Sequence, residues 1–125
     1  MIEFIFIILI IAIISSIAIS KITKSTISTD IISCKNDFHI INLAIKNKLQ
    51  NNIFKNNNNS FYLENTTILF SNILENFDSS SWNKLSSNTY KYILDNQEYI
   101  IFTYNQKSHI FICNKNEDLC KKVLN

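Results

Sequence analysis

Hydrophobic residues follow one another almost without a break over the first part of the chain. No charged residue occurs from Phe4 to Ser20, and Lys21 and Lys24 follow directly. As a helix this run is roughly 25 Å long, slightly short of the ~30 Å hydrocarbon core of a bilayer. It is apolar on every side, which is typical of a helix surrounded by lipid or by other helices. The pattern therefore predicts a transmembrane or bundle-core helix over residues 1–20.

The pattern after this run changes but is not interrupted. Apolar residues recur at intervals of three and four, which indicates a stripe along an amphipathic helix. Because the chain contains neither Gly nor Pro, we predict a single helix from about Ile2 to about Leu49. Asn51, Asn52 and the run Asn56–Asn59 are expected to end it in a loop. The stripe consists of Ile27, Ile31, Cys34, Phe38, Ile41, Ile45 and Leu49.

Three short runs rich in Tyr, Ile and Phe occupy the C-terminal part: Thr89–Leu94, Glu98–Tyr104 and His109–Cys113. Polar segments at 95–97 and 105–108 separate them, which predicts a three-stranded antiparallel meander. One face of its middle strand is expected to carry Glu98, Ile100, Phe102 and Tyr104. Such a sheet needs one face covered, and the apolar stripe is the long surface that can cover it.

The predicted fold class is α+β. One long N-terminal helix has an apolar membrane half, residues 1–20, and an amphipathic half, residues 21–50. The second half packs on a small antiparallel sheet of three to four strands in a globular domain, residues 51–125. Within that domain, Phe61–Phe77 is ambiguous: it indicates either a short helix around Thr67–Asn76 or an irregular strand and turn.

A cleaved signal peptide is the alternative for the apolar run. The triplet Ala18-Ile19-Ser20 satisfies the small-x-small rule for a cleavage site. However, no basic residue precedes the run, an acid, Glu3, stands there instead, and the helical pattern continues past Ser20. A carboxylate so near the start of a membrane-length helix is costly unless it is neutralised or lies at the level of the lipid headgroups.

Composition argues against an enzyme. Without Gly there is no Gly-rich phosphate loop, and His39 and His109 fall in no ligand or triad spacing. No cofactor is therefore expected. The net charge of +2 is mild, and all 12 basic residues are Lys. Lysines interleave with aromatic residues in a pattern compatible with weak DNA binding, although scattered lysines on a sheet are commonly only solubilising. These residues are Lys84, Lys91, Lys107, Lys121 and Lys122 with Trp82, Tyr90, Tyr92 and Tyr104.

Three cysteines leave at least one thiol unpaired. Cys113 and Cys120 would close a short loop in an oxidising compartment such as a periplasm and stay free thiols in a reducing one. Cys34 lies in the helix stripe, where a small core residue is expected rather than a reactive thiol.

The N-terminal segment resembles the start of type IV pilins and type II secretion pseudopilins. In that family a basic leader is followed by Phe, a threonine-like residue, two apolar residues and a Glu that opens an apolar helix. Met1-Ile2-Glu3-Phe4 resembles the end of that signature. Ile-Ala-Ile-Pro frequently follows at a fixed offset after the Glu. Here Ile17-Ala18-Ile19-Ser20 lies 14 to 17 residues after Glu3. Trp82, the hairpins and the Cys113–Cys120 pair are similar to the C-terminal half of small members, whose disulfide loop that pair resembles.

The chain departs from the family pattern at two places, before Met1 and at Ser20. The basic leader, its cleavage-site Gly and the first two mature residues have no counterpart before Met1. We therefore expect either that translation begins upstream or that this product is not processed. Ser20 stands where the family has a helix-kinking Pro, which predicts a straighter helix.

The resemblance implies specific site residues. Glu3 and Phe4 would act in assembly, with Glu3 pairing with the N-terminal amine of a neighbouring subunit. Some pseudopilins bind calcium in a C-terminal loop, and the candidate ligands here are Asn114, Asn116, Glu117 and Asp118, in an order that matches no fixed spacing. The transmembrane or filament-core positions are Ile5, Ile8, Ile11, Ala12, Ser15, Ser16 and Ala18.

The implied function is that of a structural subunit, a pseudopilin or minor pilin, in a type II secretion, type IV pilus or DNA-uptake machine. Its expected partners are copies of itself, other pilin-like subunits, an inner-membrane assembly platform and membrane lipid. It would pass once through the bacterial inner membrane, with the globular domain in the periplasm. The alternative is a monomeric periplasmic binding module with a simple membrane anchor or a cleaved signal peptide.

Overall fold

A computed structural model describes the backbone of residues 1–55 and 60–125, with all side chains of these ranges except those of residues 20–27 and 96. The predicted loop at Asn56–Asn59 and the side chains of Ser20 and Ile27 lie outside the described residues.

A single helix dominates the fold. Helix α1 runs without interruption over Ile2–Phe54, 53 residues, or about 80 Å at the standard rise. It passes through Ser20, as expected where no Pro is present. The predicted end near Leu49 was wrong, because Asn51 and Asn52 lie inside the helix. Asn weakens a helix somewhat less than Gly and far less than Pro, so this pair does not end it.

The sheet has four antiparallel strands in the order β1-β2-β3-β4. The three predicted runs correspond to β2, β3 and β4, with slightly shorter bounds, whereas β1 was not recognised in the sequence. A 3-10 turn, Asp95–Gln97, joins β2 to β3, and a short helix α2 follows β4. The elements are β1 Trp82–Ser86, β2 Thr89–Ile93, β3 Tyr99–Asn105, β4 Ile110–Cys113 and α2 Asp118–Leu124.

The alternation predicted for the middle strand is confirmed at three of its four positions. Ile100, Phe102 and Tyr104 are buried, while Tyr99 and Thr103 on the opposite face are exposed. Glu98 was wrongly placed on the buried face. It lies before β3 and is exposed, because the chain is still turning there and the Leu94 amide donates to the Glu98 carbonyl (2.8 Å).

The stripe on α1 covers the sheet. Cys34, Ile41 and Ile45 are buried in the core. The Phe38 ring lies against the rings of Phe102 (5.7 Å between centroids) and Phe111 (6.3 Å). The long helix laid across a small sheet is therefore confirmed, and the apolar stripe is the surface that buries the aromatic face of the strands.

Of the two structures indicated for the segment before the sheet, the short helix is absent, and the turns of the alternative are present without its strand. Over Thr67–Asn76 the backbone forms turns, because hydroxyl side chains bond to nearby groups and compete with helical bonds. The Ile68 amide donates to Thr66 Oγ1 (3.1 Å), and the Thr66 and Ser71 hydroxyls are 3.0 Å apart. This leaves the position of the segment to be set by its buried aromatic residue, Phe70.

Phe70 is the centre of an aromatic cluster. Its side chain is 0% exposed, and its ring centroid lies 5.1 Å from that of Tyr90 and 5.3 Å from that of Trp82. Its φ of 61° is in the left-handed region, which a bulky residue adopts only when its surroundings hold it there. Packing in the cluster therefore outweighs the local backbone cost.

Replacing Phe70 should destabilise the domain strongly. We expect Phe70→Ala to lower the free energy of unfolding by about 3–5 kcal/mol, because it leaves a cavity among four rings. The measurement is urea unfolding of the full chain in detergent micelles, followed by fluorescence of Trp82. The control is Phe54→Ala, whose side chain is 87% exposed and whose removal should change stability by less than about 0.5 kcal/mol. Equal effects of the two variants would contradict the assignment of Phe70 to the core.

Candidate functional site: the exposed apolar half of the helix

The first third of α1 is exposed although it is almost wholly apolar. Ile2–Ile19 is long and apolar enough to cross a membrane. Its large apolar side chains are between 45% exposed, at Ile10, and 83% exposed, at Ile2. A soluble monomer rarely carries a contiguous apolar surface of this extent. The segment therefore needs lipid or other protein around it.

The polar side chains of this segment are satisfied within the helix. The Ser15 hydroxyl donates to the Ile11 carbonyl (2.8 Å), and the Ser16 hydroxyl donates to the Ile13 carbonyl (2.9 Å). Neither serine then needs water. Ala12, Ser15 and Ser16 are spaced i, i+3 and i+4, so these small residues share one side of the helix. Small residues let a neighbouring helix approach closely in an apolar environment.

The predicted assembly residues are all exposed and lie on one helix. Glu3 is in the first turn of α1, where a negative charge interacts favourably with the helix dipole. Phe4 follows it. The predicted core positions spread along the next four turns rather than converging on a pocket, so they form a surface. Ile5, Ile8, Ile11, Ala12, Ser15, Ser16 and Ala18 are exposed.

Two polar contacts fix the domain on the second half of α1. The Trp82 indole N–H donates to Asp37 Oδ2 (2.9 Å), and the Asp95 amide donates to Asp30 Oδ2 (2.8 Å). These contacts hold the start of β1 and the β2–β3 turn at defined levels along the helix. Sequence reasoning missed both carboxylates, because an acid on a helix is ordinarily a solvated residue.

Burial raises the pKa of Asp37, and the charge of Asp78 raises it further, while the hydrogen bond from Trp82 opposes the shift. The ionised carboxylate is therefore held at some cost in a half-buried position. Asp78 itself is exposed, and its pKa is lowered by the hydrogen bonds it accepts from Ser80.

The C-terminal cysteines are joined. Cys113 and Cys120 form a disulfide with a Cα–Cα distance of 5.8 Å, which links β4 to α2. Helix α2 packs against α1 and buries Val123 there. Cys34 is buried and free. Burial raises the pKa of its thiol, so it is a core residue and not a reactive group, as predicted.

The candidate calcium ligands serve local structure. Asn114 Oδ1 accepts the Asn116 amide (3.1 Å), and Asp118 pairs with Lys121 (3.3 Å) across one turn of α2. Glu117 is the residue that precedes α2, and all four candidates are exposed. In the described part of the chain, no group of three His, Cys, Asp or Glu residues is placed to hold a metal ion.

The lysines and aromatic residues considered for DNA binding do not form a common surface. Trp82, Tyr90, Tyr92 and Tyr104 are buried in the core, so their rings are not available to stack on bases. Tyr99 is exposed instead, with Lys91 Nζ 5.2 Å from its ring centroid.

The raised pKa of Asp37 should be visible in the pH dependence of the free energy of unfolding. A raised pKa in the folded state means a contribution that is complete below the unfolded value of about 3.9 and is lost as the pH rises through the folded pKa. Asp37→Asn keeps an acceptor for the Trp82 indole and removes the charge. We therefore expect the stability of the native chain to fall relative to Asp37→Asn over mildly acidic pH. The measurement is urea unfolding at a series of pH values.

A companion variant separates charge from hydrogen bonding. Asp37→Ala removes the acceptor and should be less stable than Asp37→Asn at every pH, because the indole N–H is left unpaired. If the native chain instead gained stability relative to Asp37→Asn as the pH rose, the raised pKa would be wrong.

Reduction of the disulfide should weaken the domain. Breaking the Cys113–Cys120 bond frees a short loop in the unfolded chain, and we expect a loss of about 2–3 kcal/mol in the free energy of unfolding. Urea unfolding with and without reductant measures it. In the double variant Cys113→Ala, Cys120→Ala the reductant should have no further effect. An unfolding midpoint of the native chain that ignores reductant would contradict a structural role for the bond.

No family model, curated protein or solved structure matches this chain. The resemblance to pilins therefore rests on residues of the chain itself, Glu3 and the Ile17–Ser20 segment at its offset.

Proposed function

We propose that this protein is a pilin-like filament subunit, a pseudopilin or minor pilin. The observation that carries the proposal is that α1 is one unbroken helix, exposed and apolar in its first third and packed on a domain in its second half. In this proposal the chain is held in the bacterial inner membrane by Ile2–Ile19, with its domain in the periplasm, and it leaves the membrane for the core of a filament.

An unbroken helix supports a mechanical role. A simple anchor needs only to keep its domain near the membrane, and a flexible linker is sufficient for that. Here the apolar segment and the domain share one helix, and Asp30 and Asp37 bind the sheet to it. A displacement of the apolar segment along its axis therefore moves the domain with it, as a subunit of a piston or pilus requires.

Glu3 provides the specificity of the proposed assembly. Once surrounded by apolar helices, its carboxylate is stable only beside a positive charge, and the N-terminal amine of a neighbouring copy is the group that the resemblance implies. A misplaced register leaves a buried charge unpaired, which costs roughly 3–5 kcal/mol. Ala12, Ser15 and Ser16 contribute close approach between helices.

The other proposed partners are those that the resemblance implies. Lipid surrounds the apolar segment before assembly, and copies of this chain or other pilin-like subunits surround it afterwards. An inner-membrane assembly platform would drive the transfer. The Cys113–Cys120 disulfide is in keeping with an oxidising compartment such as the periplasm. The machine served is a type II secretion, type IV pilus or DNA-uptake system.

Substitution of Glu3 tests the proposal. We expect Glu3→Ala to reduce the sheared-filament or cross-linked multimer fraction by more than about tenfold, since a charge pair of this kind is worth several kcal/mol. The chain should still be inserted in the membrane. Glu98→Ala, at an exposed acid of the domain, is the matched control and should assemble normally. Assembly of Glu3→Ala at the native level would contradict the proposal.

The mature N-terminus separates the proposal from the alternative of a cleaved signal peptide. The chain should be expressed in its host from its native upstream region, and its N-terminus identified by mass spectrometry. A mature chain that retains Glu3, above all one that begins two residues before Met1 at a methylated Phe, supports the filament subunit. A chain that begins at Lys21 would leave a periplasmic domain without its apolar segment and overturn the proposal.

A further inference from the structure

Among the described residues after Ile19, Phe54 carries the most exposed large apolar side chain. The residue is 87% exposed and ends α1, directly before Lys55. It lies 35 residues beyond Ile19, or about 50 Å along the helix at the standard rise. A bilayer around Ile2–Ile19 therefore does not reach this ring, and a cover for it has to come from protein.

A groove of about 380 Å³ lies in the segment that precedes the sheet, and we call it the Ile68–Phe77 groove. Of the seven residues that line it, Glu75 is the one with a charge. Four of the others are large and apolar, namely Ile68, Leu69, Leu74 and Phe77. Such a lining suits an apolar side chain that has a positive charge beside it.

Internal contacts hold the groove in shape. The Phe77 ring lies edge-on to the buried ring of Phe70, with 5.6 Å between the centroids. The Leu74 amide donates to the Phe70 carbonyl (2.9 Å), and the Asn72 amide donates to the Leu63 carbonyl (3.1 Å). A groove that exists before its ligand arrives loses little entropy on binding.

The Phe54 ring and the groove lie on different sides of one molecule. Lys48 Nζ donates to Asn72 Oδ1 (3.3 Å), which places the segment of the groove beside Lys48. Phe54 is six residues further along α1, so its side chain points about 120° away from that of Lys48 around the helix axis. Complementary surfaces at different places on one protein join copies head to tail, which produces a filament unless the rotation closes a ring.

The charges beside the ring and beside the groove are opposite. Lys55 follows Phe54 directly, and Glu75 lines the groove. Both charged residues are exposed, and neither belongs to an ion pair within the described part of the chain. Ring, groove and both charges occur together in every copy of this chain, so a second copy is the partner that fits.

We propose that the Phe54 ring of one copy docks in the Ile68–Phe77 groove of a second copy, with Lys55 beside Glu75. This contact deepens the proposed function and rests on it, because assembly of the apolar segments is what brings the domains of neighbouring copies together. It gives those domains a contact of their own, separate from the one at Glu3.

Cross-linking between two variants tests the contact. A copy with Phe54→Cys and a differently tagged copy with Ile68→Cys are expressed together in host membranes and oxidised. We expect a disulfide-linked dimer that carries both tags, and no dimer from either variant alone, because the contact is head to tail. In the matched control Leu43→Cys, at a residue of α1 that is 60% exposed, takes the place of Phe54→Cys and should give no mixed dimer.

Charge reversal tests the ion pair. Lys55→Glu and Glu75→Lys should each lower the cross-linked multimer fraction about two- to fivefold, as loss of an exposed ion pair does. The double variant should restore the fraction, which a folding defect would not. Phe54→Ala should lower it about tenfold, as truncation of an aromatic side chain at the centre of an interface does.

The result can be separated from that of the Glu3 variant. Absence of the mixed dimer, or an equal yield from the Leu43→Cys control, would overturn this contact, and it would leave the filament subunit in place if Glu3→Ala still abolishes assembly. A mixed dimer that forms equally when both copies carry Glu3→Ala would support the contact and count against the filament.

Discussion

The contact between one face of α1 and the aromatic side of the sheet is the interaction on which the rest of the molecule depends. A four-stranded sheet of this size is not stable with its apolar face in water, and the face of α1 around Cys34, Ile41 and Ile45 is what covers it. The same helix continues into an apolar segment that the domain does not cover. The face that packs on the sheet and the uncovered apolar segment therefore belong to one continuous helix.

The chain builds this domain without Gly or Pro, and the consequence is visible in its backbone. Phe70, Asn76, Gln97 and His109 have positive φ angles, where Gly would ordinarily be found. Asn adopts that region readily, but Phe70 and His109 are held there by ring contacts with Tyr90 and Phe61. Tertiary packing thus replaces the conformational freedom that Gly supplies in other proteins. Turns held in this way should be stiffer than Gly turns.

Most of the fold could be predicted from periodicity. The long helix, its stripe and strands β2, β3 and β4 follow from spacings of three, four and two. The sequence left open whether Cys113 and Cys120 are bonded or free, and the structure joins them. Strand β1 was missed because only Trp82 in it is buried, so it shows no alternation. Phe61–Phe77 stayed ambiguous between a helix and a turn, because the position of Phe70 is set by Trp82 and Tyr90, which are distant in sequence. The contacts of Asp30 and Asp37 join residues far apart in sequence and leave no local pattern.

The central claim is that the exposed segment Ile2–Ile19 packs against identical segments of other copies. It is tested most directly by disulfide cross-linking of an Ala12→Cys variant in host membranes, with the buried Cys34 left as it is. The account predicts a disulfide-linked dimer from Ala12→Cys and none from the native chain, because Ala12 lies on the side of the helix that carries Ser15 and Ser16. Monomer alone under oxidising conditions, with the apolar segment still present in the chain, would mean that lipid and not a second helix covers this surface, and would contradict the account.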